Sequence, residues 1–221
     1  MKLICFLLLL GITTTAQQPL RLVICGDSTV ADYPETTHQR GWGQYIQGYF
    51  KDSVRVFNLA KNGRSTKTFL KEGLWAKALA LKPDIILIQF GHNDSHDPKL
   101  PEATNAATDY PNYLRQFIDE ARAAGATPIL ITPVQRRTKV DSLLPYVEAM
   151  KKVAAEKRVP LLDLHASSGR LYSELGEAET AKLEAAGSDH THFNEAGAIA
   201  IAALVMKELP VLDPRLKPDL R

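Results

Sequence analysis

Five short apolar runs punctuate the chain, at residues 22–25, 54–59, 85–90, 129–132 and 159–162, and longer mixed stretches separate them. Within them, 22–25, 85–88 and 129–131 are nearly continuous Val, Ile and Leu. That is the composition of strands buried on both faces, as in a parallel sheet covered by helices. The intervening stretches carry helical periodicity. Tyr110, Leu114, Phe117, Ile118 and Ala121 fall on one helical face, and that stretch ends at Gly125, a common helix stop. A second helix is predicted over 142–157. A third is predicted over 194–209, with Ala196, Ile199, Ala200, Ala203 and Leu204 turned inward. Strands alternating with helices predict right-handed βαβ units and one three-layer α/β/α domain with about five parallel strands. Pro210, Pro214 and Pro218 predict an extended surface tail over 210–221.

A length of 221 residues fits one domain. The composition, 45% apolar and 24% charged, is that of an ordinary globular chain, and a net charge of +2 gives no reason to expect a nucleic-acid partner. The first residues change the picture. Lys2, the apolar run 3–10, Gly11 and then Ala16 form the pattern of a cleaved signal peptide over 1–16, with 17–221 as the exported domain. The run is too short to span a bilayer, so no membrane association is expected after cleavage, and the destination is the periplasm or the cell exterior. An uncleaved N-terminal anchor is the alternative. Cys5 leaves with the signal, so Cys25 has no internal disulfide partner and reads as a buried small hydrophobe. The mature protein is expected to be a monomer.

Ligands of such sheets bind outside the carboxyl ends of the strands. The first strand runs into Gly26-Asp27-Ser28-Thr29. Ser28 is expected at the mouth of a helix, where backbone N–H groups favour negative charge, which suits a nucleophile; the same residues also serve as helix caps. A serine nucleophile needs a base. Asp189 and His192, three residues apart in one loop, can supply an imidazole and the carboxylate that orients it. Capping is one rival reading of that loop. Metal binding by Asp189, His190 and His192, completed by His92 or His96, is another. Asn62-Gly63 reads as a turn or as a backbone donor with no side chain in the way, and Asn93 offers a side-chain amide. His92 and Asp94 read as loop-orienting groups.

Gly26-Asp27-Ser28, Gly63, Gly91-His92-Asn93-Asp94 and Asp189-x-x-His192, in that order, resemble the four blocks of the SGNH (GDSL-type) hydrolases. The resemblance implies a flavodoxin-like fold, no cofactor and no metal. It also implies a Ser28, His192 and Asp189 triad, with an oxyanion hole formed by Ser28 N–H, Gly63 N–H and the Asn93 amide. Gly26 to Ala31, Gly41-Trp42-Gly43-Gln44 and Asp189-His190-Thr191-His192 narrow the resemblance to the rhamnogalacturonan acetylesterase branch. The implied activity is removal of acetyl groups from an acetylated polysaccharide, pectin, through an acetyl-serine. A broad short-chain carboxylesterase and a deacetylase of another glycan such as xylan are the alternatives. A binding module that lost catalysis is disfavoured by the intact Ser28, Asn93, Asp189 and His192. Pectin is acidic, and Arg64, Lys67, Arg136 and Arg137 lie near the predicted active edge. Arg136 or Arg137 is the expected galacturonate contact. His190 is a further expected substrate contact. Trp42 either stacks on sugar or packs beside its two glycines.

Overall fold

The computed structural model describes residues 18–138, 140–187 and 189–221. The expected signal peptide, 1–16, lies outside the described residues. Five strands, β1 (Leu20–Gly26), β2 (Val54–Asn58), β3 (Ile85–Gln89), β4 (Thr127–Ile131) and β5 (Leu161–Leu162), form one sheet in the order β2-β1-β3-β4-β5. Every pairing is parallel. Each run predicted from the apolar pattern is one of these strands.

Side chains alternate across a strand, so a doubly covered strand must be apolar at every position. Leu22, Ile24, Ile85, Leu87, Ile129 and Ile131 join one core with Trp42, Ile46, Phe193, Ile201 and Val205. Val23, Cys25, Ile86, Ile88 and Leu130 join the other, with Phe69, Trp75, Tyr110, Leu114, Phe117 and Met150. The first layer holds a 3₁₀ helix over Trp42–Tyr49 together with α5 (Leu164–Ala181) and α6 (Glu195–Leu212). The second holds α1 (Thr66–Lys71), α2 (Leu74–Ala80), α3 (Asp109–Ala123) and α4 (Leu144–Lys157). The result is the expected three-layer α/β/α architecture. All five residues assigned to the inner face of α3 are fully buried.

Two expectations need correction. The inward stripe of α6 is Ile201, Ala202, Val205, Met206 and Leu209, while Ile199 is 43% exposed and Ala196 and Ala203 face solvent. This helix is apolar nearly all round, so periodicity alone leaves its phase open. The tail is also not extended. The helix runs through Pro210 to Leu212, and Asp213 then caps a 3₁₀ turn over Pro214–Asp219. Proline removes one N–H near a helix end, where little of the ladder remains to be lost.

Candidate active site

The site is built on the loops that leave the carboxyl ends of the strands. After β1 the chain enters a tight turn, closed by Val30 and Ala31 N–H donating to the Asp27 carbonyl. Ser28 therefore sits in a turn, not at a helix mouth as expected; the next helical segment starts at Trp42. The Asp27 carboxylate accepts from Thr29 N–H (2.9 Å) and Thr29 Oγ1 (2.7 Å), so it stabilises the turn through its side chain. The sharp approach of strand and turn leaves no room for a Cβ at Gly26, which would press on Val30 and the Gln89 carbonyl.

Beneath Ser28 lies a buried hydrogen-bond chain. Trp42 Nε1 donates to Gln89 Oε1 (2.9 Å), Gln89 Nε2 to Thr29 Oγ1 (2.8 Å), and Thr29 to Asp27. The other Asp27 oxygen meets His92 Nδ1 at 3.1 Å, and His92 Nε2 faces the Val134 carbonyl at 3.0 Å. Burial opposes ionisation of Asp27, but the adjoining His92 and the Thr29 donors outweigh it and hold the carboxyl below its ordinary value. Satisfied networks of this kind fix one geometry.

His192 reaches Ser28 from the far end of the chain. Its Nε2 lies 2.9 Å from Ser28 Oγ, and its Nδ1 lies 2.9 and 3.2 Å from the two Asp189 oxygens. Asp189 Oδ1 also accepts N–H from Thr191 and His192. Burial pushes against its charge, but these donors and the imidazole prevail and lower its pKa. A hydroxyl, an imidazole and a carboxylate thus stand in relay, the arrangement needed to deprotonate a serine.

The Asn62-Gly63 turn is closed by Arg64 N–H to the Lys61 carbonyl, with Gly63 at a φ of +77°, so the turn reading of this segment holds. Nothing stands where a Gly63 Cβ would lie, which leaves its backbone open to a ligand. Asn93 Nδ2 donates one hydrogen to the Arg64 carbonyl (3.0 Å) and has a second to give. Asp94 is fully buried and accepts from Thr66 N–H, Thr66 Oγ1 and Thr104 Oγ1, tying this loop to α1. Burial pushes the Asp94 carboxyl up to about 6 against those donors. A raised carboxyl binds its proton more tightly when folded, so its contribution to stability falls as pH climbs from 3.8 to about 6. The Tm of Asp94→Asn relative to wild type is expected to rise between about pH 4 and about pH 7. A difference that stays constant with pH contradicts this account.

Residues 24–199 match the GDSL-like lipase/acylhydrolase family. The chain belongs to that family. It is a carboxylic ester hydrolase of the SGNH type. A probable rhamnogalacturonan acetylesterase of Bacillus subtilis is 39% identical over 201 residues, covering 86% of this chain and 93% of its own. A rhamnogalacturonan acetylesterase of the same organism is 36% identical over 226 residues, covering 92% and 95%. Among solved structures, a Bacillus subtilis protein superposes with a TM-score of 0.77 at 29% identity over 88% of this chain; the match spans just 57% of that longer chain. An acetylxylan esterase from Geobacillus stearothermophilus gives a TM-score of 0.70 at 20% identity over 87% of this chain and 94% of its own, a likeness of fold.

In this acylhydrolase the structure brings Ser28, His192 and Asp189 together and ties the Asn93 loop to the Gly63 turn. It also shows where the other candidate residues lie. Of the two readings of Trp42, packing holds and stacking on a sugar does not: the residue is fully buried with its indole N–H spent on Gln89. Arg137 has a side chain only 4% exposed and bound within the protein. Arg136 donates through Nη1 to Ser142 Oγ and through Nη2 to the His92 carbonyl. Arg64 pairs with Glu72, and Lys67 donates to the Ala103 carbonyl. His92 and His96 are engaged with Asp27 and Glu102, away from the Asp189 loop. Among the described residues, no group of three His, Cys, Asp or Glu side chains is placed to hold a metal ion. Cys25 is fully buried, and burial pushes its thiol far up, away from nucleophilic character. Sequence reasoning missed Tyr33, whose hydroxyl donates to the Ser28 carbonyl at 3.0 Å while accepting from Gln39.

Proposed function

We propose that this acylhydrolase is an exported acetylesterase that removes acetyl groups from a plant cell-wall polysaccharide, rhamnogalacturonan, through an acetyl-Ser28 intermediate. The observation that carries the chemistry is the 2.9 Å approach of His192 Nε2 to Ser28 Oγ, with Nδ1 held by Asp189. In the proposed reaction His192 takes the Ser28 proton as Oγ attacks the acetyl carbonyl. The oxyanion is met by Ser28 N–H, Gly63 N–H and the second hydrogen of the Asn93 amide. His192 then protonates the departing sugar hydroxyl, and water activated by the same imidazole hydrolyses the acetyl-serine.

The pectic substrate is supported by the two rhamnogalacturonan acetylesterase relatives, similar along nearly their whole length. Export is supported by the N-terminal pattern at 1–16. His190 is the proposed sugar contact: its side chain is 48% exposed and lines a cavity of about 710 Å³ with Gln135, Arg136, Arg137 and Tyr172.

The test is acetate release from acetylated rhamnogalacturonan and acetylated xylan, measured side by side. Release confined to the pectic polymer upholds the reading, and equal release from both withdraws the polymer assignment. Asn93→Ala is expected to lower kcat by about a hundredfold or more with little change in KM, since one oxyanion donor is typically worth that much. Steady-state kinetics on a soluble acetate ester checks it.

A further inference from the structure

Arg136 or Arg137 was expected to meet substrate, yet both side chains are engaged in holding other loops, while both also line the cavity beside His190. Arg137 Nη2 donates to two carbonyls of the Asp189–His192 segment, those of Asp189 and His192, each at 2.8 Å. The Arg137 backbone N–H donates to a third, that of His190, at 2.9 Å. The guanidinium is flanked by the rings of Phe193 (4.9 Å to the centroid) and Tyr172 (5.8 Å). Its Nε pairs with Glu184 Oε1 at 3.2 Å, and the two side chains are only 4% and 7% exposed. Glu184 also faces His190 Nδ1 at 3.0 Å. The adjacent Arg136 reaches the opposite way, to the carbonyl of His92, beside Asn93.

A buried charge pair is costly to keep and is weak support for stability, so its retention calls for a structural purpose. Here the purpose is visible in what it grips. The peptide planes of residues 189 and 192 set the separation of the Asp189 and His192 side chains, and one guanidinium nitrogen fixes both. We propose that Arg137, neutralised by Glu184, is a positioning residue that holds the Asp189–His192 loop in register with Ser28. Arg136 does the same for the Asn93 loop. The inference rests on the triad reading given above. Arg137 lines the cavity beside His190 but makes no hydrogen bond to Ser28; it acts on the triad through the loop. Lysine does not replace it, because a single ammonium on a flexible stem lacks the rigid fork that spans two carbonyls and a carboxylate.

The test uses 4-nitrophenyl acetate, which has neither sugar nor carboxylate, beside acetylated rhamnogalacturonan. Active sites are counted with a fluorophosphonate. Arg137→Ala and Arg137→Lys are expected to lose about a hundredfold in kcat on both substrates, with KM unchanged and the full count of sites still reacting, only more slowly. Dilute guanidinium ion is expected to restore part of the activity of Arg137→Ala and none of that of Arg137→Lys. If Arg137→Ala does not fold, the double variant R137Q/E184Q, which removes both buried charges together, carries the same expectation. Normal turnover of the neutral ester with loss on the acidic polymer alone overturns the proposal in favour of substrate recognition. So does a loss of rate matched by an equal loss of reacting sites, which marks a role in folding only. A wild-type protein that the phosphonate fails to label defeats the serine reading itself, and is seen before any Arg137 variant is made.

Discussion

Ser28→Ala is expected to lower acetate release by a factor on the order of 10⁶, the scale on which loss of a triad serine acts in serine hydrolases. The residue is 4% exposed, so its hydroxyl is shielded from bulk water while still meeting His192 Nε2 at 2.9 Å. Nothing beside it can substitute. Thr29 Oγ1 is committed to Asp27 and Gln89, and Cys25 is sealed within the sheet. The alanine variant should fold as the wild type does, because Ser28 Oγ has no part in the buried chain from Trp42 to His92. Circular dichroism and the melting temperature check that the lost activity is chemical. Activity in Ser28→Ala near the wild-type level contradicts the mechanism.

Asp189→Asn is expected to cost about 10⁴ in kcat while leaving the loop intact. The backbone N–H groups of Thr191 and His192 both point at Oδ1, so the oxygen of an asparagine would occupy that place. Its amide would then stand at the Oδ2 position, 2.9 Å from His192 Nδ1. Facing a donor, Nδ1 must accept, and the ring proton moves to Nε2, where it points at Ser28 and blocks proton abstraction. The carboxylate is thus required for the tautomer as well as for charge. Steady-state kinetics beside a fluorophosphonate labelling rate measures this: both should fall together. A small loss in both would mean that His192 does not depend on Asp189.

Much of this site is legible in the sequence because its chemistry is local. Asp189 and His192 are three residues apart, and Ser28, Gly63 and Asn93 each follow an apolar run that must be a strand. The strands are legible for a related reason: a doubly covered sheet writes both of its faces into one continuous apolar run. What is hidden is long-range or ambiguous in phase. α5 was not expected, since its buried positions include His165, Ser167 and Ser168 and its apolar stripe is broken; Gly176, at a φ of +75°, kinks it. α6 has too many apolar positions to reveal which face is inward. Trp42 and the two arginines have types that suit a ligand surface, and only the fold shows that Gln89, the His92 carbonyl and the Asp189 loop claim them first. The identity of a side chain states what it can bind, while its partners across 47 or 52 residues of sequence decide what it does bind.

The most direct test of the account is to treat the wild-type protein with a fluorophosphonate and map the modified peptide by mass spectrometry. A single adduct is expected on Ser28, formed in proportion to the loss of esterase activity and absent when His192 is replaced by alanine. An adduct on another residue, or esterase activity that persists with Ser28 fully modified, would contradict it.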